Sequence, residues 1–296
     1  MRHLSAATPQ PEADSEVRPH RLDDPFAIKA IDLIERSLSA DLTLEAIAAN
    51  TGLSPFHFHR RFAESMGETV GDYIRAARLN LAASLIARSD TSILEAALST
   101  GYGSQAAFTR AFTRHFGQSP SRLRTRVRSE TPPIVRFHLD LAGEATRTRK
   151  SKTSLIGMRF HGGYAHVGSH WQSFARHLQE RGFDLDRGQP VGILYDDPDL
   201  TPPSRIRYDC CVVDRGWSDA LVQAPLRRLT LRTSSYAQLP VSGAYALVSD
   251  GIFSICSLWL SQHRSVLGTG PAYEIYNAPP WADARAISAT VLVPIA

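Results

Sequence analysis

The stretch "GYGSQAAFTRAFTRHFGQSP" (101–120) follows "TGLSPFHFHRRFAESMGETV" (51–70) at an offset of 50 residues. At that offset Leu44 meets Leu94, Glu45 meets Glu95, Ala46 meets Ala96 and Ser54 meets Ser104. Phe58 meets Phe108, Arg60 meets Arg110, Phe62 meets Phe112 and Gly67 meets Gly117. Eight ungapped identities at one spacing mean that one supersecondary unit is built twice, and a repeat constrains the fold before any other feature.

Each copy reads as a short amphipathic helix, a turn containing Gly, and a second helix. In the first copy Leu42, Leu44 and Ile47 share a face, with Thr43 placed as N-cap. Gly52 makes the turn, and Ser54-Pro55 opens the next helix with Ser at the N-cap and Pro at the tolerated first position. In the second copy Ser92 caps "ILEAALST", Gly101 and Gly103 turn the chain, and Ser104 caps again. The long helical pattern "VGDYIRAARLNLAASLIA" (70–87) joins the copies. Two helices joined by a short turn containing Gly are a helix-turn-helix.

Phe108 and Phe112 lie four apart, share a helix face and pack inward. Gln105, Ala106, Thr109 and Arg110 then occupy the helix start and the opposite face; their counterparts are Pro55, Phe56, His59 and Arg60. A stripe of Arg, His, Gln and small residues is what a reading helix presents to base edges in a major groove. The charge distribution agrees. Residues 1–152 hold 21 Lys+Arg against 17 Asp+Glu, whereas residues 153–296 hold 12 of each. Within 54–128 the count is 11 against 5, and the cations are arginines, suited to bidentate phosphate and guanine contacts.

With these residues, "GYGSQAAFTRAFTRHFGQSPSRLR" resembles the signature of AraC-type transcriptional activators, over residues 24–126. The resemblance implies two helix-turn-helix motifs reading successive major-groove segments on one face of double-stranded DNA. Carried over, Phe56, His59 and Arg60, with Arg61 beside them, look like the first reading set. Gln105, Ala106, Thr109 and Arg110 look like the second. Ala106 and Ala107 are small, so the second helix is expected to read thymine methyls or little at all.

Beyond Arg128, "SETPPIVRFHLDLAGEATRTRKSKTS" carries a Pro pair and a basic, Thr-rich run, expected to be solvated loop. The domains are expected as a disordered tail over 1–23, a DNA-binding domain over 24–128, and a linker with an effector-binding domain over 129–296. A second repeat lies there at an offset of 81. "GGYAHV" (162–167) meets "GAYALV" (243–248), pairing Tyr164 with Tyr245, and "PVGILYDDP" (190–198) meets "PAYEIYNAP" (271–279). Each copy reads strand, helix, strand, strand, with short β-branched and aromatic strands. The fold class is therefore an α N-terminal domain followed by an α+β domain built from a duplicated unit.

That duplicated unit, with "YDDP…YD…VV" and "GPAYEIY…P", looks like a GyrI-like domain, over about residues 133–296. The resemblance implies a small-molecule-binding fold, and the domain order is similar to the right-origin-binding type of regulator. Glu274 stands out in "PAYEIY", because its partner at offset 81, Ile193, is apolar and because the family places a ligand-facing Glu at this motif position. A buried carboxylate without a fixed partner awaits a cation. Tyr164, Trp171, Tyr208, Tyr273, Tyr276 and Trp281 are the aromatic candidates to line the pocket and stack on a cationic or aromatic effector.

Other constellations carry less. His57 and His59 point in different directions on a helix, and His161, His166 and His170 lack a complete ligand set, so no metal or cofactor is expected. Cys210 and Cys211 face opposite sides of a strand, and with Cys256 they read as reduced thiols in a cytoplasmic protein. The N-terminus lacks the apolar segment of a signal peptide, and no run suits a membrane span. The expected protein is a non-enzymatic, cytoplasmic, nucleoid-associated regulator whose partners are double-stranded DNA, a small-molecule effector and RNA polymerase. The rival readings are a DNA-tethered hydrolase using Glu274 as a base, and a constitutive activator without a ligand.

Overall fold

The computed structural model describes residues 20–130, 136–282 and 286–296. Most of the expected tail, 1–19, lies outside the described residues, but its last residues do not belong to a tail. β1 (His20–Arg21) pairs antiparallel with residues 160 and 161, and Leu22 is fully buried.

Seven helices follow: α1 (Pro25–Arg36), α2 (Leu44–Thr51), α3 (Pro55–Met66), α4 (Val70–Arg88), α5 (Ile93–Ser99), α6 (Gln105–Phe116) and α7 (Pro120–Glu130). Asp24 starts α1 by accepting from the Phe26 and Ala27 N–H groups at 2.8 and 3.1 Å, satisfying donors that a helix start leaves open. Ser54 and Ser104 cap α3 and α6 in the same way. α4 is shared between two cores. Its first turns place Val70 and Tyr73 against Ile31, Ile47, Phe58 and Phe62. Its later turns place Leu79, Leu85 and Ile86 against Phe108, Phe112 and Leu123.

The repeat holds with a one-residue correction. Caps Thr43 and Ser92 are 49 apart, as are the left-handed glycines Gly52 (φ 77°) and Gly101 (φ 85°) that follow α2 and α5. Buried Ile47 and Ala48 therefore correspond to Ala96 and Ala97, not to Ala97 and Leu98. Gly103 is the added residue, and from Ser54 and Ser104 onward the spacing returns to 50. The identities of Leu44, Glu45 and Ala46 with Leu94, Glu95 and Ala96 are consequently not structural equivalences.

The second half contains α8 (Arg136–Glu144), β2 (Thr146–Lys150), β3 (Thr153–His161), α9 (Val167–Glu180), β4 (Pro190–Leu194), β5 (Arg207–Val213), β6 (Arg227–Leu231), β7 (Ser234–Gly243), α10 (Ala246–Ser254), β8 (Ala272–Tyr276) and β9 (Ile287–Ile295). α10 continues through a π turn to Gln262. The basic run expected as loop is instead β2, paired along β7 at the sheet edge, where charged side chains stay solvated. All strands form one antiparallel sheet in the order β1-β3-β5-β4-β8-β9-β7-β2, with β6 also on β3. The two strand-helix-strand-strand units, β3-α9-β4-β5 and β7-α10-β8-β9, meet at the central β4–β8 pair. Among the described residues no helix is long and apolar enough to cross a membrane.

One sheet face packs α9 and α10 through Ile156, Met158, Trp171, Phe174, Trp259 and Val291. The opposite face meets the helical half through charge. Arg159 donates to Glu35 of α1 twice at 2.9 Å and to Asp209 at 2.5 Å. Arg207 donates to Glu35 at 3.0 Å and to Asp196 at 2.8 Å. Arg227 joins Asp209 at 2.6 Å and also Asp32 of α1. Arg88, at the end of α4, holds Asp197 at 2.8 Å and Asp199. Burial opposes ionisation of Glu35 and Asp209, but the facing guanidiniums win and hold both carboxyls below the usual carboxylate range.

A carboxyl held below its unfolded value contributes stability that is present above the unfolded value and lost as pH falls toward the folded one. The melting temperature should therefore drop as pH is lowered from about 5 to about 3, across the ordinary carboxylate range. Thermal melts should show a shallower acid limb for Glu35→Gln, from a lower starting point.

Candidate functional site

Two places gather the candidate residues, and the first is the pair of reading helices. α3 buries Phe58 and Phe62 and leaves Phe56, His59, Arg60 and Arg61 exposed, with Phe56 at 74%. α6 buries Phe108 and Phe112 and leaves Gln105, Ala106 and Arg110 exposed, with Thr109 half-buried. The 3.6-residue period thus separates packing from presentation on both helices. Arg60 lies 3.5 Å from Glu64, an exposed pair worth little. Arg61 differs: its guanidinium donates to Asp24 at 2.7 Å and lies 4.2 Å over the Phe26 ring, so it fastens α3 to α1. Arg61 remains exposed while it makes this contact.

The second place is a cavity of about 410 Å³ between the starts of α9 and α10, lined by Tyr164, Val167, Trp171, Tyr245, Tyr276 and Ile287 among others. Tyr164 and Tyr245 hold equivalent positions in the two units, so the pocket lies where the duplicated halves face each other. Glu274 lies behind this aromatic wall, fully buried. It is not the partnerless carboxylate that the sequence suggests. Its Oε1 accepts from Tyr245 at 2.6 Å, and its Oε2 accepts from Tyr208 at 2.6 Å and Tyr276 at 2.7 Å. Trp171 donates to the Tyr208 hydroxyl at 3.1 Å, extending the network. Burial pushes the Glu274 carboxyl above the usual carboxylate range, and the three phenol bonds offset this only in part. Burial first, and then the Glu274 charge, push the Tyr208, Tyr245 and Tyr276 hydroxyls well up, so they remain donors.

The counterpart of Glu274 is Gly192, not Ile193. Gly192 pairs with Cys210 on β5, Glu274 pairs with Val291 on β9, and positions 210 and 291 are 81 apart. The equivalence between β4 and β8 therefore runs at 82, which keeps each residue on its proper face. Gly192 and Glu274 also face each other directly across the β4–β8 pair. A Cβ at position 192 would land on the Tyr208 hydroxyl and the Glu274 carboxylate, so glycine makes room for the hydrogen bond.

The other candidates divide. Tyr164 lines the cavity and donates to the Asp196 carbonyl at 2.7 Å. Trp281 packs 5.9 Å from Trp171 rather than lining the cavity. Tyr273 is not brought to the site: as the neighbour of Glu274 in β8 it points to the opposite face, 5.9 Å from Tyr236. Tyr245 was missed, although its match to Tyr164 in the repeat was the available signal. His170 stacks on Phe160 at 4.8 Å with both ring nitrogens unpartnered, and burial lowers its pKa to about 4. Among the described residues no His, Cys, Asp or Glu group has a metal-binding arrangement. Cys210 and Cys211 are buried on opposite faces of the sheet.

Comparison with known proteins bears on both places. Residues 47–126 match the helix-turn-helix domain family, and residues 148–296 match the GyrI-like small molecule binding domain family. The chain is 41% identical over 83 residues to the probable transcription factor PqrA of Proteus vulgaris, covering 28% of this chain and 68% of that protein. It is 35% identical over 94 residues to the regulatory protein SoxS of Escherichia coli K12, covering 32% of this chain and 88% of that protein. It is 39% identical over 88 residues to the right origin-binding protein of the same strain, covering 30% of each. The match thus spans under a third of the latter's length.

Gly192→Ala should force Tyr208 away from Glu274. Overpacking and a weakened buried hydrogen bond predict a loss of about 1–3 kcal/mol, read by denaturant unfolding. The first helical core should be unaffected.

Proposed function

The chain belongs to the AraC-type transcriptional regulators that carry a C-terminal GyrI-like small molecule binding domain, and on that premise we propose that an organic cation held in the aromatic pocket controls its action on DNA. The observation that carries this reading is the buried Glu274 carboxylate behind Tyr245 and Tyr276, whose rings line the cavity. A cation in the cavity meets aromatic faces directly and the negative charge through the phenol hydroxyls. Tyr164 and Trp171 supply further faces and Tyr208 anchors the carboxylate. Because Glu274 is sealed by three donors, it does not face the cavity as a base for an attacking water.

Double-stranded DNA is the partner of the first half. Phe56, His59 and Arg60 read one major-groove segment, and Gln105, Ala106, Thr109 and Arg110 read a second, about one helical turn of ~34 Å away. RNA polymerase is the third partner in this reading, and the cytoplasm, at the nucleoid, is its setting.

Two experiments test it. Arg60→Ala and Arg110→Ala should each cost about 1–3 kcal/mol and relax base preference in one segment, measured by titration against duplexes varied one position at a time. Uniform weakening across all sequences would reduce both residues to phosphate contacts. In the pocket, a unit charge roughly 8 Å away at an effective dielectric near 20 is worth about 2 kcal/mol. Calorimetry with tetraphenylphosphonium should therefore show affinity falling about tenfold to thirtyfold in Glu274→Gln. A neutral aromatic of similar shape should bind both proteins alike. Equal cation affinity in wild type and variant, in a variant shown to be folded by its melt, would remove Glu274 from the pocket.

A further inference from the structure

The pocket and the DNA-reading half share one stretch of backbone. From β4 through the connecting loop into β5, residues 195–209 hydrogen-bond to the pocket wall and to Glu274 behind it on one side and to the helices on the other. On the pocket side, the Asp196 carbonyl accepts from Tyr164 and the Tyr208 hydroxyl donates to Glu274. On the helix side, the Asp196 carboxylate takes Arg207 and the Asn80 amide of α4, the latter at 3.3 Å. Asp197 and Asp199 hold Arg88 at the end of α4, and Leu200 is buried in the core formed by α4 to α7. Arg207 and Asp209 flank Tyr208 in β5 and reach α1, the one through Glu35 directly and the other through Arg159.

The helix-side contacts fall on both halves of the DNA-binding domain. Glu35 and Asp32 belong to α1, which packs with α2 and α3 and so carries the first reading helix. Arg88 and Leu200 lie with α5, α6 and α7, which carry the second. The reading residues Phe56, His59, Arg60, Gln105, Ala106 and Arg110 are exposed while this docking is in place. The docking therefore does not mask DNA recognition; it holds the two reading units to one frame.

We infer that residues 195–209 are a relay through which occupancy of the aromatic pocket sets the relative placement of the two reading helices. This rests on the pocket reading proposed above. Strand alternation supplies the mechanism: Tyr208 points to the pocket face, where it holds Glu274 and the wall residue Trp171, while Arg207 and Asp209 point to the helices, so a displacement of β5 needed to seat a ligand moves both charge contacts together. Binding two groove segments at once demands a fixed distance and phase between α3 and α6, so a small change in the frame has a large effect on DNA affinity. By linkage, DNA must act back on the pocket by the same factor.

The test uses the full chain and a duplex recovered from a random-sequence pool by the protein itself. Amide hydrogen exchange of residues 194–209 should change when this DNA binds wild type, with no ligand present. Tetraphenylphosphonium at saturation should change DNA affinity by at least about fivefold. In the double variant Glu35→Gln with Arg88→Met, Arg159 keeps Asp209 and Arg207 keeps Asp196, while the methionine introduced on α4 retains the apolar stem of the arginine it replaces. That variant should still bind DNA and tetraphenylphosphonium, but the affinity change should shrink below about twofold and the exchange response should disappear. Asp197→Asn serves as a milder second variant, expected to lose part of both responses. Unchanged exchange at 194–209 in the wild-type complex, or full coupling in the variants, overturns the relay. If tetraphenylphosphonium and other aromatic cations fail to bind wild type, the effector reading falls, and the exchange measurement still decides the relay.

Discussion

Arg159, Arg207 and Arg227 are charges that the sheet cannot bury alone. Moving a guanidinium out of water is tolerated only where carboxylates and hydrogen bonds replace the lost solvation. Asp209 of β5 and Asp196 just beyond β4 supply part of that, and Glu35 and Asp32 supply the rest from α1. The docking of the helical half is thus a requirement of the sheet's own composition. Arg159 also lies 4.3 Å over the Tyr195 ring, whose hydroxyl donates to Asp209, so the same cluster fixes the start of the loop leading to α4.

The other face of the sheet solves a similar problem without a cation. Glu274 lies among aromatic residues and is kept there by three phenol donors rather than by an arginine. Gly192 makes this possible, because the cross-strand position nearest the carboxylate has no side chain. The duplicated architecture supplies the cavity by bringing the starts of α9 and α10 together, while differences between the copies supply the chemistry. Where one copy has Gly192, the other has Glu274. The pocket formed by both copies thereby has a single buried carboxyl group behind it.

Much of this was legible in the chain. The two repeats define the architecture, because hydroxyl caps, Phe pairs and glycines recur in the same order every 49 or 50 residues, as one motif built twice requires. Periodicity separated Phe58, Phe62, Phe108 and Phe112 from Phe56, His59, Arg60 and Arg110, and the structure shows that separation on both helices. Single-residue register was not legible. Gly103 and the shift from 81 to 82 at β4 and β8 are invisible to an ungapped comparison, since chance identities such as Ala46 with Ala96 reward the wrong frame. In a strand one residue of error exchanges the two faces, so the 81-residue frame sets Ile193 against Glu274, whereas Tyr273, next to Glu274, lies on the face away from the pocket by strand alternation alone.

The sequence by itself determined what was to be built: two helix-turn-helix units, a duplicated strand-helix-strand-strand unit, an arginine-rich first half, and an acid set in an apolar strand. Those properties are local, written in caps, periods and residue types within a few turns of one another. Only the tertiary structure decided what the buried charges meet. Glu35 and Arg159 are 124 residues apart, Arg88 and Asp197 are 109 apart, and Glu274 and Tyr208 are 66 apart. No spacing rule links such pairs, because the distance between them is set by sheet order and domain docking rather than by the chain. Tyr245 bonded to Glu274, Gly192 opposite Glu274, and Arg61 bound to Asp24 all follow from that packing, in which each polar group that leaves water must find a partner wherever the fold puts one.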